Sequence, residues 1–486
     1  MHPAFRHPDG STRLRYLWDQ NSPVPLATTG IPGPFWLGRL FDATTINDAL
    51  GTTNPYFALD YNPTANLYGD KQPVHGTHVL SVAAGSHAKG VPPGVAPGAD
   101  LIFVHLRPNA VPTSTSASNG WTVLAAVLWI FAQADQDNQP AVVNLSIGTN
   151  RGPHDGSTIL ELAFDWLLNH PGRTIVVPAG NAHDAHLHAN GTITAGGDWS
   201  IRWRFKLGDT TVNALDIWYE SPTLAPTLLT TVIAPDGSEF VEANPGWPMY
   251  ILQLGRLIGT VTTGVWWTDA GPPFVQQIHI ELSPARVTDE TWKIRLSLPM
   301  APGQQPVTVD AWVGRDDLGA DSQSSIAVPE ADRLGTLASL SCGRKTLCVG
   351  AYYEIPHDQP IGEFSSAGPT RDGRGKPDVV APGYQVLAAN ALGGQRIKPD
   401  KPERYPLLAA MSGTSVSVAH VSGLAALMLQ TWPGATADQI AALIRAWTQL
   451  ATPTFVPPGP PVPPRNWDAR FGYGRIDAAT TLWHQP

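Results

Sequence analysis

Ser412 to Leu429 reads SGTSVSVAHVSGLAALML, and this stretch decides the fold. It is an apolar run of helical length that opens at Thr414-Ser415, directly after Gly413. A serine in that place is most simply an N-cap, whose hydroxyl satisfies an orphan backbone N–H. The same position also lies in a field that favours developing negative charge. Two further stretches share this design. HGTHVLSVAAG begins at His75 and opens another apolar helix with an imidazole at its start. VVPAGNAH, from Val176, places Asn181 just beyond a buried strand and a glycine, where an amide can donate into a cleft. Each has a plain structural reading alone. In chain order, His75, Asn181 and Ser415 describe a general base, an oxyanion donor and a nucleophile at the edge of one sheet.

The surrounding texture supports such a sheet. Leu101–Val104, Ala141–Leu145 and Thr174–Val177 read as buried strands, and WTVLAAVLWIFAQADQ from Trp121 has helical length and an apolar face. Strands alternating with helices predict an α/β fold, a parallel sheet with helices on both faces. From about residue 184 to 333 the period changes to two, as in Trp199–Phe205, with Gly, Pro and Asp between segments. That pattern predicts an antiparallel β-sandwich of jelly-roll type. From 334 the first texture returns, with a strand at Thr346–Gly350 and a helix after Thr436, whose spacing to Gln439 is that of a capping box. PTFVPPGPPVPPR, from Pro453, reads as a polyproline-like surface connector. The expected organisation is therefore one α/β domain in two parts, 1–183 and 334–486, interrupted by an inserted β-domain, 184–333.

Bulk composition narrows the function classes. The 486 residues are 42% hydrophobic and 15% charged, a globular balance, with net charge -9 and no basic block. Nucleic acid is therefore not an expected partner. No apolar run reaches membrane-spanning length, and MHPAFRHPDG is neither a signal nor a transit peptide, so no membrane partner is expected and the compartment stays open. The two cysteines, Cys342 and Cys348, are too few for a metal site. They read as reduced, part-buried thiols in preference to a hairpin disulfide.

At this point the sequence resembles a known family, the subtilases, which are serine endopeptidases. His75-Gly76-Thr77-His78 resembles the family's histidine motif, Gly413-Thr414-Ser415 its nucleophile motif, and Ala179-Gly180-Asn181 its oxyanion motif. GVAPGADLIFVHL (Gly94 onward), VVNLSIG (Val142 onward), FSSAGPTRDGRGKPDVVAPG (Phe364 onward) and FGYGRIDA (Phe471 onward) extend the likeness over 1–183 and 334–486. FRHPDGSTRLRYLWDQ, Thr45–Leu50 and the β-insert after the Asn motif further resemble the clostridial germination-protease subgroup. The resemblance implies that Ser415 attacks the scissile carbonyl of a polypeptide and that His75 relays the proton. Asn181, with the backbone N–H of Ser415, would bind the oxyanion. Ser146-Ile147-Gly148 and Pro178-Ala179-Gly180 would line the substrate channel, with backbone groups free to pair an extended peptide. No cofactor or metal is implied.

Two departures accompany the likeness. The family's Asp-Ser/Thr-Gly pattern ends the first sheet strand, ahead of a His-Pro pair. Here His2-Pro3 is that pair, so the triad aspartate and the first strand are expected upstream of Met1. Asp9, Asp19, Asp42, Asp48, Asp60 and Asp70 precede His75 as weak substitutes. Ala419 replaces the family's proline before His420, with little expected effect. The alternative to an endopeptidase is a catalytically impaired pseudo-peptidase that binds peptide or signals through its insert. A third reading gives the insert a glycan-binding role through Trp199, Trp203, Trp218, Trp266, Trp267, Trp292 and Trp312, although core packing is the plainer assignment. His183, His186 and His188 read as a loop cluster without ligands to complete a metal site. Asn190-Gly191-Thr192 matches a glycosylation sequon, which carries meaning only with a secretory route.

Overall fold

The computed structural model describes residues 2–22, 31–62, 75–107, 120–209, 211–242, 247–266, 273–283, 289–315, 323–355, 359–393, 404–449 and 467–483. The Pro-rich connector from Pro453 lies outside the described residues, as does Asp70. Eight α-helices are present among them: α1 (Ala43–Leu50), α2 (Pro55–Ala58), α3 (His75–Ala84), α4 (Gly120–Gln136), α5 (Ile159–Leu167), α6 (Thr414–Thr431), α7 (Ala437–Ala446) and α8 (Ala478–Trp483).

Two sheets form the α/β part. One runs in the order β2 (Ile31–Pro32), β3 (Arg39–Asp42), β1 (Leu14–Asp19), β4 (Leu101–His105), with β1 and β4 parallel. The other runs β22 (Thr448–Gln449), β23 (Arg475–Ile476), β19 (Val379–Pro382), β18 (Leu347–Tyr352), β6 (Arg173–Pro178), β5 (Ala141–Asn144), and from β23 to β5 all pairs are parallel. A small hairpin pairs β20 (Val386–Ala389) with β21 (Leu408–Met411).

Side-chain alternation along the strands explains the layers. Ile175 and Val177 of β6 pack with Val123, Val127 and Phe131 of α4 and Phe164 of α5. Val176, between them, faces the opposite way onto Val418, Val421 and Met428 of α6. Burial on both faces is why these strands read as continuous apolar runs. The sheet thus has helices on both sides, as the sequence predicts.

α4 spans the division between the two sheets. Ala125, Ala126 and Trp129 pack over Trp18 and Val104 of the first sheet, while Val123 and Phe131 cover the second. β4 and β5 are consequently the facing end strands, and no described residue pairs between them.

On the other side, α3 packs along α6 through Val79, Val82, Ala83, Val416 and Ala419. Gly423 permits this approach. A Cβ there would lie 2.5 Å from Val95 Cβ and 2.7 Å from the Ala83 carbonyl oxygen. Gly423→Ala is therefore expected to destabilise the protein by about 1–3 kcal/mol through overpacking, read as a lower midpoint in chemical denaturation. Ala83 and Gly423 each lie eight residues beyond His75 and Ser415, so this register sets the two helix starts at the same end.

The intervening chain forms two wholly antiparallel sheets. One has the order β11 (Glu239–Val241), β10 (Leu229–Ile233), β15 (Glu290–Ser297), β8 (Asp198–Phe205), β17 (Ser325–Ile326). The other has the order β12 (Met249–Gln253), β13 (Arg256–Trp266), β14 (Phe274–Leu282), β9 (Asn213–Ser221), β16 (Val307–Val313), β7 (His188–Ile193). Ile201, Trp203, Ile217, Ile278, Trp292 and Val309 fill the space between them, with Trp199 packed against that cluster. Trp218 and Trp312 are buried in a neighbouring cluster. Core packing is thus the role of these five tryptophans, and the side chains of Trp266 and Trp267 lie outside the described residues.

The thiols of Cys342 and Cys348 are free and fully buried, and burial pushes both of their pKa values up. Neither is a nucleophile near neutral pH.

Candidate active site

His75 is the first residue of α3. The following Gly76 lets the helix start press on β4, since a Cβ there would meet the Phe103 ring at 2.8 Å. His75 is half-buried. Desolvation first, then the nearby His78 and Arg315, lower the His75 pKa to about 4. Both named neighbours are basic. Among the described residues no carboxylate hydrogen-bonds or ion-pairs with His75. The upstream aspartates are engaged elsewhere. Asp19 ends β1, accepts from the backbone of Asn21 and lies 3.6 Å from His105. Asp9 accepts from Ser11, Asp42 caps α1 at Thr45, and Asp60 pairs with Arg39.

Ser415 is the second residue of α6. The preceding Gly413 has φ 146°, which favours glycine, and a Cβ on it would sit 3.3 Å from Asn181 Nδ2. Asn181 Oδ1 accepts from both Thr414 N and Thr414 Oγ1, each at 3.0 Å. Those two bonds fix which end of the amide is oxygen, and they leave Nδ2 as the donor beside the start of α6. Thr414 Oγ1 also accepts from Gly180 N at 3.2 Å. On the opposite flank, Ser146 Oγ donates to the Ser415 carbonyl at 2.8 Å and accepts from Asn144 Nδ2 at 2.9 Å. The backbone of the nucleophile candidate is thereby pinned from both strips. No hydrogen bond joins the His75 ring to Ser415 Oγ.

The two strips differ. Along Pro178–Gly180 every backbone N–H is already used. Ala179 N donates to Val349 O (2.8 Å) and Gly180 N to Thr414, while proline has none. Its carbonyls also accept, Ala179 O from Ala338 N at 2.7 Å and Gly180 O from Ser366 N at 3.0 Å. The backbone N–H groups of this segment are therefore already satisfied within the protein. In the other strip, Ile147 N is taken by Leu145 O, while no hydrogen bond to Gly148 N or O is present among the described residues. Gly148 and Gly180 both face the Ala338 methyl, at 3.0 and 3.4 Å from where their own Cβ would be. Thr414, Ser366 and Ala338 were not legible as site residues. Only the position of Thr414 inside the Gly-Thr-Ser motif could have pointed to it.

Three further histidines lie against backbone carbonyls. His78 Nε2 lies 2.9 Å from Val386 O, His183 Nδ1 3.0 Å from Arg333 O, and His188 Nδ1 2.7 Å from Leu334 O. Among the described residues no cluster of three or more His, Cys, Asp or Glu could hold a metal ion, and no helix is long and apolar enough to cross a membrane. α6 continues unbroken through the buried Ala419.

Asn181 and the start of the Ser415 helix are thus brought together, and the sequence profile of the subtilase family matches residues 46–474. This chain belongs to the subtilase family. Relatives of this subtilase include the serine protease AprX of Bacillus subtilis, 29% identical over 216 residues, covering 43% of this chain and 40% of AprX. The subtilisin-like protease SBT4.9 of Arabidopsis thaliana is 35% identical over 126 residues, 25% of this chain and 16% of that protein. The match therefore spans less than half the length of either relative. Among solved structures, the Clostridium perfringens CspB protease superposes with a TM-score of 0.73 at 20% identity, covering 99% of this chain and 89% of that one. At that identity the likeness is one of fold.

Proposed function

We propose that this subtilase is a serine-type endopeptidase. Ser415 forms the acyl-enzyme, His75 acts as general base and then general acid, and Asn181 Nδ2 with the Ser415 N–H binds the oxyanion. The observation that carries this reading is the double bond from Thr414 to Asn181 Oδ1, which aims the amide donor at the start of the nucleophile helix. Ser146-Ile147-Gly148 offers the extended polypeptide its pairing edge, and Pro178-Ala179-Gly180 forms the opposite wall. We assign 184–333 as an inserted β-sandwich between the two catalytic segments, 1–183 and 334–486.

A fluorophosphonate probe tests the assignment. Incubated with the protein, including any coding sequence 5′ of Met1, it is expected to label Ser415 alone. A protein that is folded yet unlabelled overturns the reading. Asn181→Ala is expected to lower kcat about 10²–10³-fold with a smaller change in KM, measured on a fluorogenic peptide.

The second reading, an impaired peptidase that binds peptide, has one observation in its favour. The charges around His75 are basic, so nothing described holds its imidazolium.

A further inference from the structure

The strip Ser146–Gly148 continues to Arg151, whose side chain meets the β-sandwich at Asp216. Its side chain is 9% exposed and Asp216, on β9, is 1% exposed. Arg151 Nε donates to Asp216 Oδ2 at 3.1 Å. The other carboxylate oxygen, Oδ1, accepts from His279 Nδ1 at 2.6 Å and from Gln277 Nε2 at 3.0 Å, both on β14. His279 Nε2 in turn pairs with Glu281 Oε1 at 3.2 Å. The arginine stem lies against backbone, because a Cβ on Gly314 would be 3.4 Å from Arg151 Cδ.

We propose that the β-sandwich braces the substrate strip through this cluster, with Arg151, Asp216 and His279 as positioning residues for peptide hydrolysis. The proposal rests on the endopeptidase reading above. Polar contacts hold the segment at two places, Ser146 at the Ser415 carbonyl and Arg151 at Asp216, His279 and Glu281, and the residues between are joined by the backbone alone. Adhesion alone would not require them. A buried ion pair is usually no more stabilising than a well-packed apolar contact of the same size, but it fixes direction. Here the fixed direction is that of the residue three places beyond Gly148.

The cluster also carries a titration. Its charged groups are Arg151 from the strip, Asp216 from β9, and His279 and Glu281 from β14, with Gln277 neutral; Trp312 of β16 pairs with Asp216 across the sheet. With His279 protonated the two cations balance the two anions. Burial opposes that proton, but the bonds to Asp216 and Glu281 outweigh it and raise the His279 pKa. As pH rises through that value, His279 can no longer donate to both carboxylates, and its freed ring nitrogen can accept from Arg151 Nη2, which lies 3.0 Å from Nδ1, so the bonding that holds Arg151 is redistributed.

The experiment compares kcat and KM on a peptide of six or more residues with the rate of labelling by a small fluorophosphonate, which needs no extended strip. Arg151→Met is expected to raise KM about tenfold, with kcat and labelling within about twofold of the parent. Arg151→Lys recovers part of the loss. In the parent KM changes as pH rises through the His279 titration, and in His279→Gln that change disappears. Asp216→Asn repeats the Arg151→Met result from the other side, and if it does not fold, Arg151→Met still decides, because it leaves every residue of the sandwich in place. An unchanged KM in folded Arg151→Met, or labelling and turnover falling together, overturns the brace. A parent protein whose Ser415 is not labelled at all sinks the endopeptidase reading, and the brace with it.

Discussion

Replacing Ser415 by alanine is expected to abolish most turnover, and the size of the fall reports the state of His75. In serine peptidases of this geometry, losing the nucleophile costs kcat on the order of 10⁶, losing the triad carboxylate alone on the order of 10⁴, and the losses do not multiply. If a carboxylate holds His75, Ser415→Ala should cost about 10⁶-fold. If none does, the parent already lacks most of that factor, and the same substitution should cost only about 10²-fold. Peptide hydrolysis by parent and variant at equal concentration checks this, and no fall at all would remove Ser415 from the chemistry. The pH profile is a second reading of the same question. Desolvation, with His78 and Arg315 nearby, lowers the His75 pKa to about 4. Activity should then persist on the acid side down to about pH 4. A carboxylate beside the ring would move that limb toward neutrality.

Asp378→Ala is expected to have the largest effect on stability. This carboxylate is fully buried at the start of β19. Lys376 Nζ donates to Oδ2 at 2.6 Å, Cys348 N to the same oxygen at 2.6 Å, and Arg445 Nε of α7 to Oδ1 at 2.9 Å. Removing it would strand the Lys376 ammonium, whose side chain is only 4% exposed. Breaking a buried pair from one side costs about 3–5 kcal/mol. A fall in Tm of about 3–5 °C in a thermal scan would show it. Burial by itself would raise the Asp378 pKa, but Lys376 and Arg445 outweigh it and hold the carboxyl below its usual range. A depressed carboxylate contributes stability that is present above the unfolded-state pKa and lost as pH falls through the folded one. The parent should therefore lose stability at acid pH, and Asp378→Ala should lose less of it over the same range.

The fold and the three central residues were legible because each signal is local. His75 and Ser415 sit at helix starts, where glycine, threonine and an apolar run identify the position, and Asn181 follows a strand whose burial on both faces leaves no alternation. The tryptophans of the sandwich could be placed in its core from their period. What was not legible is long-range. Arg151 and Asp216 are 65 residues apart and belong to different periodicities, so nothing in either neighbourhood announces the other. Arg315 near His75 is equally silent. The N–H groups of Ala179 and Gly180 are taken up by Val349 and Thr414, which lie far along the chain, so their engagement could not be read locally.

The hydrogen bond between Ala179 O and Ala338 N joins the chain just before it enters the sandwich to the chain just after it returns. Loop-closure entropy grows only with the logarithm of loop length, so an excursion anchored at one such point adds little to the cost of ordering the rest. In evolutionary terms this is a socket. A module of almost any length, or a short turn, can be seated between these two residues without re-routing a single strand of the parallel sheet. The constraint on what is seated there comes instead from Arg151, which any replacement must meet with a carboxylate of its own.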